Sequence, residues 1–166
     1  MYSTDEVMPD HAGRSRPEDS QYLSRFKAMD TDERWVNRSP QTMLETFHWF
    51  RGEGFGLIFE DVLRTPARGI GVIAEGFRLL PHLVKPLFTE PGHAVWLLPT
   101  PEFRRTAFDP RDWEFPRKTS DPELARCNLL ECDRVFTDRL FEETKRLEMP
   151  VIEIDTAMNE GGWPGR

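Results

Sequence analysis

Gly71-Val72-Ile73-Ala74-Glu75-Gly76-Phe77-Arg78-Leu79-Leu80-Pro81, with its partner Ala94-Val95-Trp96-Leu97-Leu98-Pro99-Thr100, decides the fold expected of this chain. Each stretch begins as a short apolar run of β-branched or aromatic residues, the composition of a strand. Between them Leu79, Leu80, Leu83, Val84 and Leu87 recur at helical spacing, which predicts a helix over 77–88. Strand at 70–75, helix, strand at 93–98 is the pattern of a βαβ unit in a parallel sheet buried on both faces. Ligands of such sheets bind outside the carboxyl ends of the strands. Glu75 and Thr100 are therefore expected on the rim of a site.

Downstream, Pro101 opens a helix carrying Phe103, Arg104, Arg105 and Phe108, and Asp109-Pro110-Arg111 ends it. A proline-punctuated loop with Trp113, Phe115 and Pro116 follows. Thr119-Ser120-Asp121-Pro122-Glu123 starts the longest predicted helix, about 121–147. Its Ala125, Leu129, Cys132, Phe136 and Leu140 form one apolar stripe, the mark of a helix packed on a sheet. Val151-Ile152-Glu153-Ile154-Asp155 reads as a further strand, and 157–166 as a flexible tail. Upstream, Ser39-Pro40 pairs an N-cap with proline at the first helical position, predicting a helix to about Arg51. Gly52, Gly54 and Gly56 break it, and Phe55 to Leu63 is either a short helix or extended. Gln21 to Ala28 is a short helix, Val7 to Ser20 a loop, and Met1 to Asp5 the end of a strand leading to Asp5. One domain spans 1–156.

A net charge of −7 argues against nonspecific binding to nucleic acid or to an anionic membrane, though not against a local basic pocket. No apolar run approaches the roughly 20 residues of a membrane span. The first residues are acidic and polar, unlike a signal peptide. Cys127 and Cys132 have the spacing of neither a metal pair nor a redox motif, so reduced thiols and a cytoplasmic location are expected.

Several residues carry candidate chemistry. Glu75, directly after an apolar strand, suits positioning Mg²⁺ through water or taking a proton from a substrate hydroxyl; it equally suits an acid at a helix N-terminus. Arg104, Arg105 and Arg111 follow the next strand and suit phosphate oxygens; the alternative is a solvated helix face. Arg134 either reaches the same site or pairs with Glu131 three residues back, and the pair is the expected outcome. Asp5 is a candidate for substrate binding, set against an ordinary loop aspartate. His48, His82 and His93 are expected to be structural. No zinc cluster and no Ser-His-Asp arrangement is suggested.

Taken together, Ile73 to Pro81, a strand, an arginine-bearing segment, a long helix and a strand ending in Ile154-Asp155 resemble the latter part of a small P-loop kinase of the nucleoside, shikimate and adenylate kinase type. The resemblance implies a three-layer parallel sheet with flanking helices. It also implies a phosphoryl transfer from ATP with Mg²⁺ to a hydroxyl-bearing substrate. By the same resemblance Arg104, Arg105 and Arg111 fall in a lid over the phosphates, with Glu75, Arg104 and Arg111 catalytic. Asp5 and Arg105 bind substrate, and Arg134 is the cofactor-binding candidate. The phosphate loop G-x-x-x-x-G-K-[ST] is absent from the sequence. Gly52-Glu53-Gly54-Phe55-Gly56 has no lysine after it, and Gly69-Ile70-Gly71 precedes a strand. The chain opens where the second strand of such a kinase ends. That predicts about 25–40 upstream residues holding the first strand and the loop, and an inactive chain without them. The alternative is a binding module that has lost nucleotide chemistry.

Overall fold

A computed structural model describes residues 1–65, 71–88, 90–108 and 116–156. Helices dominate it: α1 (Met8–Arg14), α2 (Gln21–Ala28), α3 (Thr31–Trp35), α4 (Pro40–Thr46), α5 (Phe55–Arg64), α6 (Pro81–Val84), α7 (Pro101–Phe108) and α8 (Pro122–Arg146). The strands are β1 (Tyr2–Ser3), β2 (Ala74–Glu75), β3 (Trp96–Pro99) and β4 (Val151–Ile154).

The expected three-layer parallel sheet is not what these strands form. They make two separate two-stranded sheets, β1 with β2 and β3 with β4, both parallel. The stretch from Phe77 to Leu80 is not helical, and α6 with a 3₁₀ turn at Lys85–Leu87 is all that remains of the helix expected over 77–88. Strand, helix and strand therefore do not make a βαβ unit, since β2 and β3 each pair with a different strand. Pro81 and Pro86 explain the short helix: each lacks an N–H and restricts the residue before it.

Other expectations fare better. Ser39 caps α4 by accepting from Thr42 N, with Pro40 at the first helical position, but the helix stops at Thr46 and a 3₁₀ turn takes over at His48–Arg51. Asp121 caps α8 by accepting from Leu124 N. Ala125, Cys132, Phe136 and Leu140 of its stripe are buried. The loop expected over 7–20 contains α1 instead, with Pro9 in its first turn, where a missing N–H leaves no bond unmade. Phe55 to Leu63 is helical, within α5. Arg111 and the tail 157–166 lie outside the described residues.

The apolar core lies where α4, α6 and β3 meet α8. Met43, Leu44, Leu80, Val84, Trp96, Leu98, Cys132, Phe136, Leu140 and Met149 are buried there. The Phe50 and Phe136 rings stack at 3.8 Å, and Phe77 meets Phe136 edge-on. The Trp96 indole N–H reaches the Leu79 carbonyl at 3.2 Å, tying β3 to the segment after β2. Cys127 and Cys132 are free thiols, and burial followed by the Asp133 charge pushes Cys132 up to about 11. No described helix is long and apolar enough to cross a membrane.

Candidate functional site

The carboxyl ends of β1 and β2 bring chemistry together. The register sets Ser3 against Glu75, and Thr4 N donates to the Glu75 carbonyl at 2.9 Å. Asp5 and Gly76 follow side by side. Gly76 has φ 126°, and a Cβ there would lie 1.9 Å from Thr4 Oγ1 and 2.9 Å from Asp5 Oδ1. Only glycine allows the two strand ends to close this far. The pairing also raises the Asp5 carboxyl above its ordinary value, through desolvation first and the Glu75 charge after it, with the Thr4 hydroxyl bond working the other way. Both carboxylates face solvent, since Asp5 and Glu75 are exposed.

Behind this rim lies a buried polar chain. Arg78 is 2% exposed. Its Nη1 donates to the Thr4 carbonyl at 3.1 Å, and its Nη2 to His11 Nδ1 at 3.0 Å and the Gly54 carbonyl at 3.4 Å. The guanidinium lies over the Trp49 ring, 3.9 Å from its centroid. A guanidinium only donates, so His11 Nδ1 accepts and the imidazole proton belongs on Nε2. Nε2 in turn donates to Asp61 Oδ2 at 2.8 Å. Asp61 also takes Tyr2 Oη at 3.2 Å and Arg14 Nη1 at 2.9 Å. Desolvation pushes Asp61 upward, but the bonds from His11, Arg14 and Tyr2 outweigh it and hold it down at about 2. Tyr2 moves up to about 12, through burial and then the Asp61 charge. Among the described residues Arg78 has no carboxylate within ion-pair distance, and its Nε has no partner.

Asp10, His11 and Asp61 offer three ligand atoms within 4.8 Å of one another. Arg14 Nη1 already stands between the two carboxylates, at 3.0 Å from Asp10 and 2.9 Å from Asp61. His11 has both ring nitrogens engaged. The group is satisfied as an ion-pair network without a metal.

Of the arginines expected in a lid, Arg104 is buried, Arg105 is exposed and Arg111 lies outside the described residues. Thr100 Oγ1 caps α7 by accepting from Phe103 N. Arg104 on that helix is only 6% exposed, with Nε 3.5 Å from Asp133 Oδ2 on α8. It packs between helices instead of opening over a ligand. Arg134 pairs with Glu131 at 2.7 Å and Asp138 at 2.6 Å on its own helix face. That is the outcome its spacing predicted, and no cofactor role follows from it. His48 is buried among Phe26, Phe47 and Trp49, and desolvation first, then the Arg78 and Lys27 charges, lower it to about 3, so it packs as a neutral ring.

Mg²⁺ and ATP, which the resemblance implies, fare differently against these residues. The carboxylate oxygens of Asp5 and Glu75 are the hard donors Mg²⁺ takes. For ATP there is no fit: Gly52-Glu53-Gly54-Phe55-Gly56 turns into α5 without a lysine, and Lys27 and Lys85 donate to the Ala12 and Leu147 carbonyls. Arg78, His11 and Asp61 had not been singled out in the sequence. A lone arginine inside the apolar run Phe77 to Leu80 was a signal for Arg78; His11, in a polar stretch, carried none. Comparison of the chain with family models, with curated proteins and with solved structures finds no match in any of the three.

Proposed function

We propose that this chain forms the acceptor side of a small-molecule phosphotransferase, the part that binds a hydroxyl-bearing substrate and activates its hydroxyl. One observation supports the reading above the others: Asp5 and Glu75 stand at the carboxyl ends of adjacent parallel strands, with Asp5 raised by burial and by its neighbour. A carboxylate of increased proton affinity is a better base near neutral pH. Asp5 takes the substrate proton, and Glu75 would hold a Mg²⁺, which would supply charge stabilisation to the transferred phosphoryl group. Without a lysine-bearing phosphate loop the chain alone is not expected to turn over.

The second reading is a non-catalytic binding module. The burial of Arg104 against α8 favours it, because a phosphate-clamping arginine has to reach the ligand. Mn²⁺, as a paramagnetic stand-in for Mg²⁺, separates the two. The phosphotransferase reading expects amide signals of Thr4 to Glu6 and Glu75 to Phe77 to broaden, and Asp5→Asn with Glu75→Gln to abolish the effect. Broadening centred on Asp10 and Asp61, or none at all, removes the acceptor-side reading and leaves the binding module.

A further inference from the structure

An open cleft of about 810 Å³ lies along the Gly52–Gly56 turn. That volume suits a small molecule. Arg14, Arg16, Arg51 and Arg64 line it, drawn from the end of α1, the turn after it, the 3₁₀ turn before Gly52 and the end of α5. The lining sets four arginines against three acids, on a chain of net charge −7.

Three acids, Asp19, Glu53 and Glu60, share the lining with these arginines. The Glu53 carboxylate accepts from Tyr22 N and Leu23 N, each at 2.8 Å, and so serves as the cap of α2. Glu60 is held between Arg14 and Arg64 at 3.5 Å from each. Arg16 and Arg51 have no carboxylate partner among the described residues, and Arg51 lies 5.5 Å from the centroid of the Tyr22 ring. The glycines of the turn press against the interior. Gly52 and Gly54 have left-handed φ of 81° and 76°, and a Cβ at Gly52 would come within 2.6 Å of Leu83. A single guanidinium links this wall to the rim: Arg78 donates to the Gly54 carbonyl on one side and to the Thr4 carbonyl, next to Asp5, on the other.

We propose that the cleft seats a small anion, a phosphate or a carboxylate. Arg16 and Arg51 take its oxygens. The anion site does not rest on the acceptor-side reading.

The test is a titration of the chain with glycerol phosphate, and separately with malonate, followed by amide shifts and by calorimetry. Saturation at millimolar concentration is expected, with shifts confined to 14–16 and 51–57. The double variant Arg16→Ala/Arg51→Ala is expected to weaken binding about tenfold or more, the loss of charge-assisted hydrogen bonds. A preference for glycerol phosphate assigns a phosphate, and a preference for malonate a carboxylate. Raising the salt on the unmodified chain is expected to weaken binding, and needs no variant to fold. Shifts elsewhere, no saturation with either probe, or affinity unchanged in the double variant overturns the proposal. Asp5→Asn is expected to leave anion binding intact. Anion binding without Mn²⁺ broadening at Asp5 would sink the acceptor-side reading alone, and the reverse would sink the cleft alone.

Discussion

Two regions of this molecule bury their residues for different reasons. Around α8 the buried groups are mostly hydrocarbon, and the polar ones there largely answer to their own helix: Thr137 donates to the Asp133 carbonyl and Thr144 to the Leu140 carbonyl. At the β1–β2 corner the buried groups are Thr4, His11 and Arg78, which bond across more than sixty residues of sequence. Burying a guanidinium without an ionic partner costs several kcal/mol unless hydrogen bonds and an aromatic face offset it. Apolar packing holds the first region together. The second is held in one geometry by donors and acceptors that tolerate few alternatives, which is what a site requires of its support.

The comparison can be broken first at its apolar side. Phe136→Ala removes the ring stacked on Phe50, and a loss of about 3–5 kcal/mol is expected in urea denaturation. At the polar corner, Arg78→Met leaves His11 Nδ1 and the Thr4 carbonyl without their donor, and about 1–3 kcal/mol is expected for such buried unpaired groups. The sharper readout is local: amide exchange is expected to quicken at Thr4 and Gly76 and to stay unchanged along α8. Equal acceleration in both regions would mean that the corner is not a separate unit.

The pH response separates them further. Asp61 is held down at about 2, so its stabilising effect is present above the ordinary carboxyl range and fades as pH falls from about 4 toward 2. Tyr2 is raised to about 12, so its contribution is complete below about pH 10 and is lost as pH climbs toward 12. Asp61→Asn is expected to flatten the acid side of a stability-against-pH curve. An unchanged acid limb would remove Asp61 from the network's energetics. The smallest effect belongs to Arg134→Ala. Its pairs with Glu131 and Asp138 are solvent-exposed, and the denaturation midpoint is expected to stay where it is.

Much of the helical framework was legible because its signals are local. Ser39-Pro40 and Asp121-Pro122 carry the caps and first turns of α4 and α8 in adjacent residues, and the stripe on α8 needs only its own spacing. The site was half legible. Asp5 and Glu75 were singled out because each stands at the end of an expected strand, but nothing in either segment says that they end beside one another. The arginines after Thr100 drew attention by composition, and Arg104 proved to be packing against α8. The arginines that line the cleft are scattered instead between Arg14 and Arg64.

By itself the sequence determined where α4 and α8 begin, which face of α8 is buried, and that two short apolar runs would be strands. Propensity, capping and periodicity act over a few residues, so a few residues suffice to read them. Only the tertiary structure decided that β2 pairs with β1 and β3 with β4, that Gly76 must be glycine, and that Arg78 reaches His11 and Thr4. Those contacts join residues far apart in the chain, and their free energy exists only once packing and loop closure have brought them together.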